Sequence, residues 1–189
     1  KRTAGGNGGT SSSIANPFGT GPYRINDVYG LQGAATLLMN TAYILDNDID
    51  ASGTENWNSE AGFKPIGQDS TPYTGVFDGN EKFINNLSID RPAEDNIGLF
   101  GVTNGSTVRD ISVSGSATGN NKVGLLIGSA ANTTVSVASA VGHIKAESKA
   151  GVLIGEMNNS NLTGVFTHGS VKANDLAGGI TGSSNNGSI

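Results

Sequence analysis

Residues 128–154 read GSAANTTVSVASAVGHIKAESKAGVLI, and the blocks on either side follow the same plan: GVTNGSTVRDISVSGSATGNNKVGLLI at 101–127 and GEMNNSNLTGVFTHGSVKANDLAGGIT at 155–181. A fourth copy begins at Gly182. Aligned on Gly101, Gly128, Gly155 and Gly182, the copies show two more glycine columns: Gly115, Gly142 and Gly169 at offset 14, and Gly124, Gly151 and Gly178 at offset 23. With 29 glycines in 189 residues, three chosen positions would all be glycine roughly once in 280 trials, so several such columns mark a true repeat.

The apolar columns tell what kind of repeat this is. Offset 7 carries Val108, Val135, Leu162 and Ile189; offset 10 carries Ile111, Ala138 and Val165; offset 12 carries Val113, Ala140 and Thr167; offset 16 carries Ala117, Ile144 and Val171. Alternate residues from offset 10 to 16 thus point one way, which is strand spacing, and no 3.6-residue stripe runs through the unit. Helical repeats are excluded. A period of 27 residues holds about three short strands with tight corners, one coil of a parallel β-helix in which units stack ~4.8 Å apart. Volumes along the columns compensate as a tube of constant packing density requires: Ala138 and Ala140 accompany the large Ile144, whereas Ile111 and Val113 accompany the small Ala117. The fold expected is all-β, a parallel β-solenoid with ~27-residue coils, and Val108, Val135, Leu162 and Ile189 are expected to form one inward column.

Corner residues complete the unit. Offset 3 reads Asn104, Ala131, Asn158, Asn185, offset 4 reads Gly105, Asn132, Asn159, Asn186, and hydroxyls follow at Ser106, Thr133 and Ser160. Asparagine tolerates the left-handed conformation a corner needs, and stacked amides can bond from coil to coil. These asparagines read as structural.

The chain has 35% hydrophobic and 14% charged residues and a net charge of −5. Without a basic run or an RNA-binding aromatic motif, nucleic-acid binding is disfavoured. No apolar stretch approaches the ~20 residues of a helical membrane span. The absence of cysteine removes disulfides and thiolate metal sites. Because it begins Lys1-Arg2 and stops mid-repeat at Ile189, the chain reads as a piece of a longer polypeptide.

Three regions follow. Residues 1–21, rich in Gly and Ser, are expected to be a flexible lead-in. Residues 22–74 are expected to supply an N-terminal cap and the first strands, and residues 75–189 the coils. Asn26 stands where a helix N-cap would, with Val28, Leu31, Ala35 and Leu38 at helical spacing up to Asn40; the short helix would cover the open first coil. Gly30 and Gly33 weaken that helix by about 1 kcal/mol each against alanine. Tyr43 to Asp50 reads as a strand with Asp46, Asp48 and Asp50 on one solvated side, without the glycine and distal glutamate of an EF-hand loop. Residues 52–60 form a polar excursion carrying Trp57. Ile84, Leu87 and Ile89 repeat the +3, +2 spacing of Val108, Ile111 and Val113, which makes 75–97 a shorter first coil.

Ile44-Leu45-Asp46-Asn47-Asp48-Ile49-Asp50, then Pro65-Ile66-Gly67, then Phe77-Asp78-Gly79-Asn80 leading into Ile84-Asn85-Asn86-Leu87-Ser88-Ile89, followed by Gly-Leu-x-Gly units, resembles the GLUG-repeat segments of large bacterial surface and secreted proteins. Those include filamentous-haemagglutinin-like adhesins and non-catalytic regions of IgA-specific metallopeptidases. The likeness covers residues 22–189. This sequence departs from the pattern at Gly124-Leu125-Leu126-Ile127-Gly128 and Gly151-Val152-Leu153-Ile154-Gly155, each one residue longer than Gly98-Leu99-Phe100-Gly101, and Gly178-Gly179-Ile180-Thr181-Gly182 lacks the leucine. The resemblance implies a right-handed parallel β-helix, a secreted or cell-surface location, and no catalytic residues.

Enzymes on β-helices need carboxylates or basic groups gathered on one outer face. Asp110, Glu147, Glu156 and Asp175 fall at offsets 9, 19, 1 and 20, so only Glu147 and Asp175 could approach each other. His143 and His168 face outward on neighbouring coils without a third ligand. Exposed aromatics such as Tyr23, Trp57 and Tyr73 could stack on a sugar or cover the end of the core. The six Asn-x-Ser/Thr sites, at Asn86, Asn104, Asn132, Asn158, Asn161 and Asn186, are close to the number chance provides. The reading is a structural or binding segment of a secreted or surface-displayed bacterial adhesin, with no catalytic, metal or cofactor residues. Its candidate partners are a host-surface protein or glycan and neighbouring segments of the same polypeptide; the alternatives are a carbohydrate-active β-helix enzyme and a non-catalytic piece of a secreted peptidase.

Overall fold

The structure is a computed structural model and describes residues 14–15 and 21–189. In chain order its elements are β1 (Ile14–Ala15), β2 (Tyr23–Ile25), α1 (Val28–Ala34), β3 (Tyr43–Leu45), β4 (Ile49–Asp50), a 3₁₀ turn (Ser52–Asn56) and β5 (Val76–Asp90). Then come β6 (Phe100–Asn104), β7 (Thr107–Thr118), β8 (Ile127–Ala131), β9 (Thr134–Lys145), β10 (Ala150–Gly151), β11 (Ile154–Asn158), β12 (Asn161–Lys172), β13 (Ala177–Gly178) and β14 (Thr181–Asn185).

The chain is a parallel β-helix of about four turns. The long strands stack in the order β2, β3, β5, β7, β9, β12, with β4 also on β5; the short strands stack as β6, β8, β11, β14; and β10 pairs β13 on the third side. The sequence period is the pairing register. Val135 lies between Val108 and Leu162, Ala138 between Ile111 and Val165, and Ile144 between Ala117 and Val171. Parallel pairing is under way before residue 75: β3 pairs β5, and Ile66 and Tyr73 bridge to Phe100 and Thr103. Of the lead-in at 1–21, Ile14–Ala15 pairs antiparallel with β2; the rest of that expectation falls outside the described residues, apart from Gly21.

Inward residues of the middle coils are sealed off, among them Val108, Ile111, Val113, Val135, Ala140 and Ile144. Inside one corner runs a hydroxyl column, Ser106, Thr133 and Ser160, all buried with Thr103. These side chains satisfy one another and the backbone: Thr103 and Thr133 share a 2.9 Å hydrogen bond, and Thr133 N–H donates to Ser160 Oγ at 3.0 Å. A buried hydroxyl is tolerable only on such terms. Outside the same corner, Gly105, Asn132, Asn159 and Asn186 all take φ between 48° and 68°, and Asn132 Nδ2 donates to Asn104 Oδ1 on the coil below at 2.9 Å. Glycine recurs at offset 14 because the rungs touch there. A Cβ on Gly142 would overlap the carbonyl oxygen of Gly115, and one on Gly169 that of Gly142.

Three details differ from expectation. The helix is capped by Asp27, whose Oδ1 accepts the Gly30 N–H at 2.8 Å, and it stops at Ala34, five or six residues short of the apolar spacing. Leu31 and Ala34 join the core, while Leu38 is 58% exposed. Second, β5 does not align Ile84, Leu87 and Ile89 with Val108, Ile111 and Val113. Instead Phe77 lies opposite Val108, Ile84 opposite Val113 and Ile89 opposite Ala117. Left-handed Asn80, Glu81 and Asn86 absorb the three extra residues of this 15-residue strand. Third, Ile189 is 64% exposed although Val108, Val135 and Leu162 are buried, because no coil of this structure lies above it.

Candidate functional site

Outward side chains decide what the tube can do, and most of the charged ones are committed to their neighbours. Asp46 pairs with Arg24, Asp48 Oδ1 accepts the Phe83 N–H at 2.9 Å, and Asp50 Oδ1 accepts the Ser52 N–H at 3.0 Å and Asn86 Nδ2 at 3.2 Å. The backbone N–H of Ser52, followed by Asn86, holds the Asp50 carboxyl below its ordinary range. Asp48 and Asp50 thus tie the first strands to β5, and Asp46 is tied back to Arg24 of β2. Among the described residues no three His, Asp or Glu side chains gather into a set that could hold a metal ion.

The other acids stay apart. Glu147 accepts from Asn174 Nδ2 and Asp175 from Ser148 Oγ at 3.2 Å; each is bonded to a polar side chain of the neighbouring coil rather than to the other. Asp110 lies 3.8 Å from Arg109, which is itself bonded to Asp78 at 2.7 Å. His143 Nδ1 meets Ser170 Oγ at 2.8 Å, and His168 sits opposite Val141; the two histidines are not brought together. Among the acids of the described residues, Glu156 alone has two cationic partners, Lys122 at 2.9 Å and Lys149. Burial pushes the Glu156 carboxyl up, but the hydrogen bonds and charges of the two lysines outweigh it and the net shift is downward. This cluster links consecutive coils through Lys122 and Lys149, which are equivalent positions of the repeat.

The aromatic residues named from the sequence separate in space. Tyr73 is fully buried, its hydroxyl donating to Thr41 O at 2.9 Å, and burial raises its pKa. Tyr23 is half-buried against Tyr43, whose hydroxyl burial pushes up to about 12. Trp57 stacks on Tyr29 with ring centroids 5.4 Å apart and 28° between planes. Sequence reasoning missed Tyr29 as its partner, because 28 residues separate them and no spacing rule connects α1 to the loop. A shallow cavity between Lys64, Gln68, Asp69, Glu94, Asp95 and Asn96 is lined by acids already bonded to Asn96, Arg91 and Asn120.

No family model matches the chain. Halomucin from Haloquadratum walsbyi is similar to it, 36% identical over an alignment of 143 positions that covers 57% of this chain and 2% of halomucin. The chain therefore spans about a fiftieth of that relative's length. A solved structure from Bacteroides ovatus, provisionally described as an immunoglobulin A1 protease, superposes with a TM-score of 0.45 at 14% identity, covering 89% of this chain and 84% of that one.

Proposed function

We propose that the chain is a rigid structural segment of a much longer protein, secreted or displayed at the cell surface, and that the parent protein serves attachment as an adhesin. The observation that carries this reading is the use made of polar groups. Asp46, Asp48, Asp50, Glu147, Glu156 and Asp175 are all spent on bonds that hold one coil or strand to the next, as a spacer requires and a catalytic centre does not. Repetition supports it too, since each added coil extends the tube and buries its own apolar columns. The halomucin alignment supports the setting within a long polypeptide, and the GLUG-type motifs support a secreted or surface location. Neighbouring segments of the same polypeptide are its first partners, and a surface protein or glycan is the attachment partner.

Two measurements test this. An antibody raised to the segment should label intact cells that make the parent protein, and protease treatment of those cells should remove the label; labelling only after lysis overturns the surface placement. The purified chain should not turn over any of a panel of polysaccharides with or without Ca²⁺. Robust hydrolysis or elimination would replace the spacer reading with a carbohydrate-active enzyme.

A further inference from the structure

Two groups of aromatic side chains are in ring contact. Tyr43, Tyr73, Phe100 and Phe77 are buried and touch in that order, at 6.2 Å, 5.2 Å and 5.1 Å between centroids. They seal the first coils. Tyr29 and Trp57 also stack, yet Tyr29 is 36% exposed and Trp57 only half-buried. The pair lies outside the sealed set.

Both rings are held by anchored backbone. One helical turn on from Tyr29, Gln32 makes two bonds to the main chain of Lys64, donating Nε2 to its carbonyl at 3.0 Å and accepting its N–H at 2.8 Å. Trp57 N–H donates to Thr54 O, and the buried Thr54 hydroxyl donates to Ala51 O and accepts Ser88 N–H. Past Trp57 the chain takes three consecutive left-handed residues, Asn58, Ser59 and Glu60, with φ of 53°, 57° and 68° and no glycine among them. Strain of this kind persists where surrounding structure enforces it and clusters at binding sites. It leaves Asn58, Ser59 and Glu60 exposed beside the pair, with Glu55 and Asn56 exposed on the preceding turn.

A rigid apolar ring pair bordered by amides, a hydroxyl and carboxylates suits a pyranose, whose C–H face packs on an aromatic ring while its hydroxyls donate to carboxylate and amide oxygens. The charge narrows the class. Glu55 and Glu60 are exposed on this loop; of the neighbouring cations, Arg91 is buried against Phe63 O and paired with Glu94, which leaves Lys64 as the exposed one, so the exposed charge beside the pair is net acidic and disfavours an anionic sugar. We propose that Tyr29 and Trp57 form a binding platform for a neutral pyranose chain. This deepens the attachment reading by naming its ligand class and rests on that reading for its setting, but the two fail separately. A surface spacer without sugar binding still labels on intact cells.

Trp57 is the only tryptophan of the chain, so its emission reports on the platform directly. Titration with cellohexaose, chitohexaose, xylohexaose and mannohexaose should give a saturable emission change with at least one of them, and a polygalacturonate oligomer should give none. Tyr29→Ala should weaken the binding at least tenfold and Glu60→Ala at least threefold. Phe166→Ser, on an exposed aromatic of another coil, should leave it unchanged. The proposal is overturned if no neutral hexaose alters the emission at millimolar concentration, if the acidic oligomer binds as well, or if Phe166→Ser weakens binding as much as Tyr29→Ala. Should Tyr29→Ala melt early, Glu60→Ala on the exposed turn decides alone: unchanged affinity there overturns it.

Discussion

At Val137 the repeat demands a backbone that valine resists. Asp110, Val137 and Gly164 occupy offset 9 on successive coils and all turn left-handed, with φ of 52°, 50° and 62°. A β-branched residue is a true outlier there, at a cost on the order of 1–3 kcal/mol, and Val137 recovers little by burial because it is 61% exposed. Val137→Asn should therefore stabilise the protein by about 1 kcal/mol in urea denaturation. Val137→Gly should gain less, since glycine also loosens the unfolded chain. Glu156 makes the opposite case, a side chain whose environment favours its charge. Its folded pKa lies below the ordinary 4.5, so its contribution is complete above 4.5 and fades as pH falls through the folded value. Glu156→Gln should lower the melting temperature at pH 7 and flatten the acid side of the stability profile below pH 4.5. A parallel downward displacement of the whole profile would show that Lys122 and Lys149 do not set the titration.

In the stacked long strands the test is alternation. Val135 is buried between Val108 and Leu162, whereas Ser136 lies between the outward positions Arg109 and Thr163. Val135→Asp places an uncompensated carboxylate in the interior and should cost several kcal/mol, a large share of the 5–15 kcal/mol that holds a domain together. Ser136→Asp should cost under about 1 kcal/mol. Equal losses in chemical denaturation would mean that the strand faces are misassigned. This element was legible because a constant period turns sequence offset directly into pairing register, so that Ile111, Ala138 and Val165 share a column in both descriptions. Where the period breaks, so does legibility. In β5 the Ile84, Leu87, Ile89 spacing imitates that of Val108, Ile111, Val113, but left-handed Asn80, Glu81 and Asn86 shift the true register, and no composition signal marks that shift. Apolar spacing carried the helix past Ala34, whereas within it only Leu31, Ala34 and the two glycines are fully buried, and beyond it Ala35, Leu37 and Met39, not Leu38, pack against the core without continuing the helix. The pairing of Tyr29 with Trp57 depends on how α1 docks by way of Gln32 and Lys64, a tertiary fact with no local pattern. Likewise Glu156 meets two lysines only because a corner brings offset 1 beside offset 21.

For the whole molecule, stability should grade along the axis. β9 is paired along its length on both sides, by β7 and β12, whereas β12 has beyond β9 only the single bridge of Asn161 to Ser188, and its inward Val165, Thr167 and Val171 are half-buried where Ala138, Ala140 and Ile144 are sealed. Hydrogen exchange should therefore reach its greatest protection in β7 and β9 and fall at β12 and β14, since coils at an end open at lower free energy than those between neighbours. Uniform protection from β5 to β14 would show one cooperative block instead of a stack. The same register has a mechanical meaning. Each 27-residue coil advances the tube by only ~4.8 Å, yet the same residues drawn straight reach ~90 Å. A tether built this way is short and stiff at rest and stores close to twenty times its length as slack. Held at Tyr23 and Ile189 and pulled, it should yield from the singly paired end one coil at a time, giving force peaks spaced by ~90 Å of released chain, so that a load arriving suddenly is spread over successive small failures.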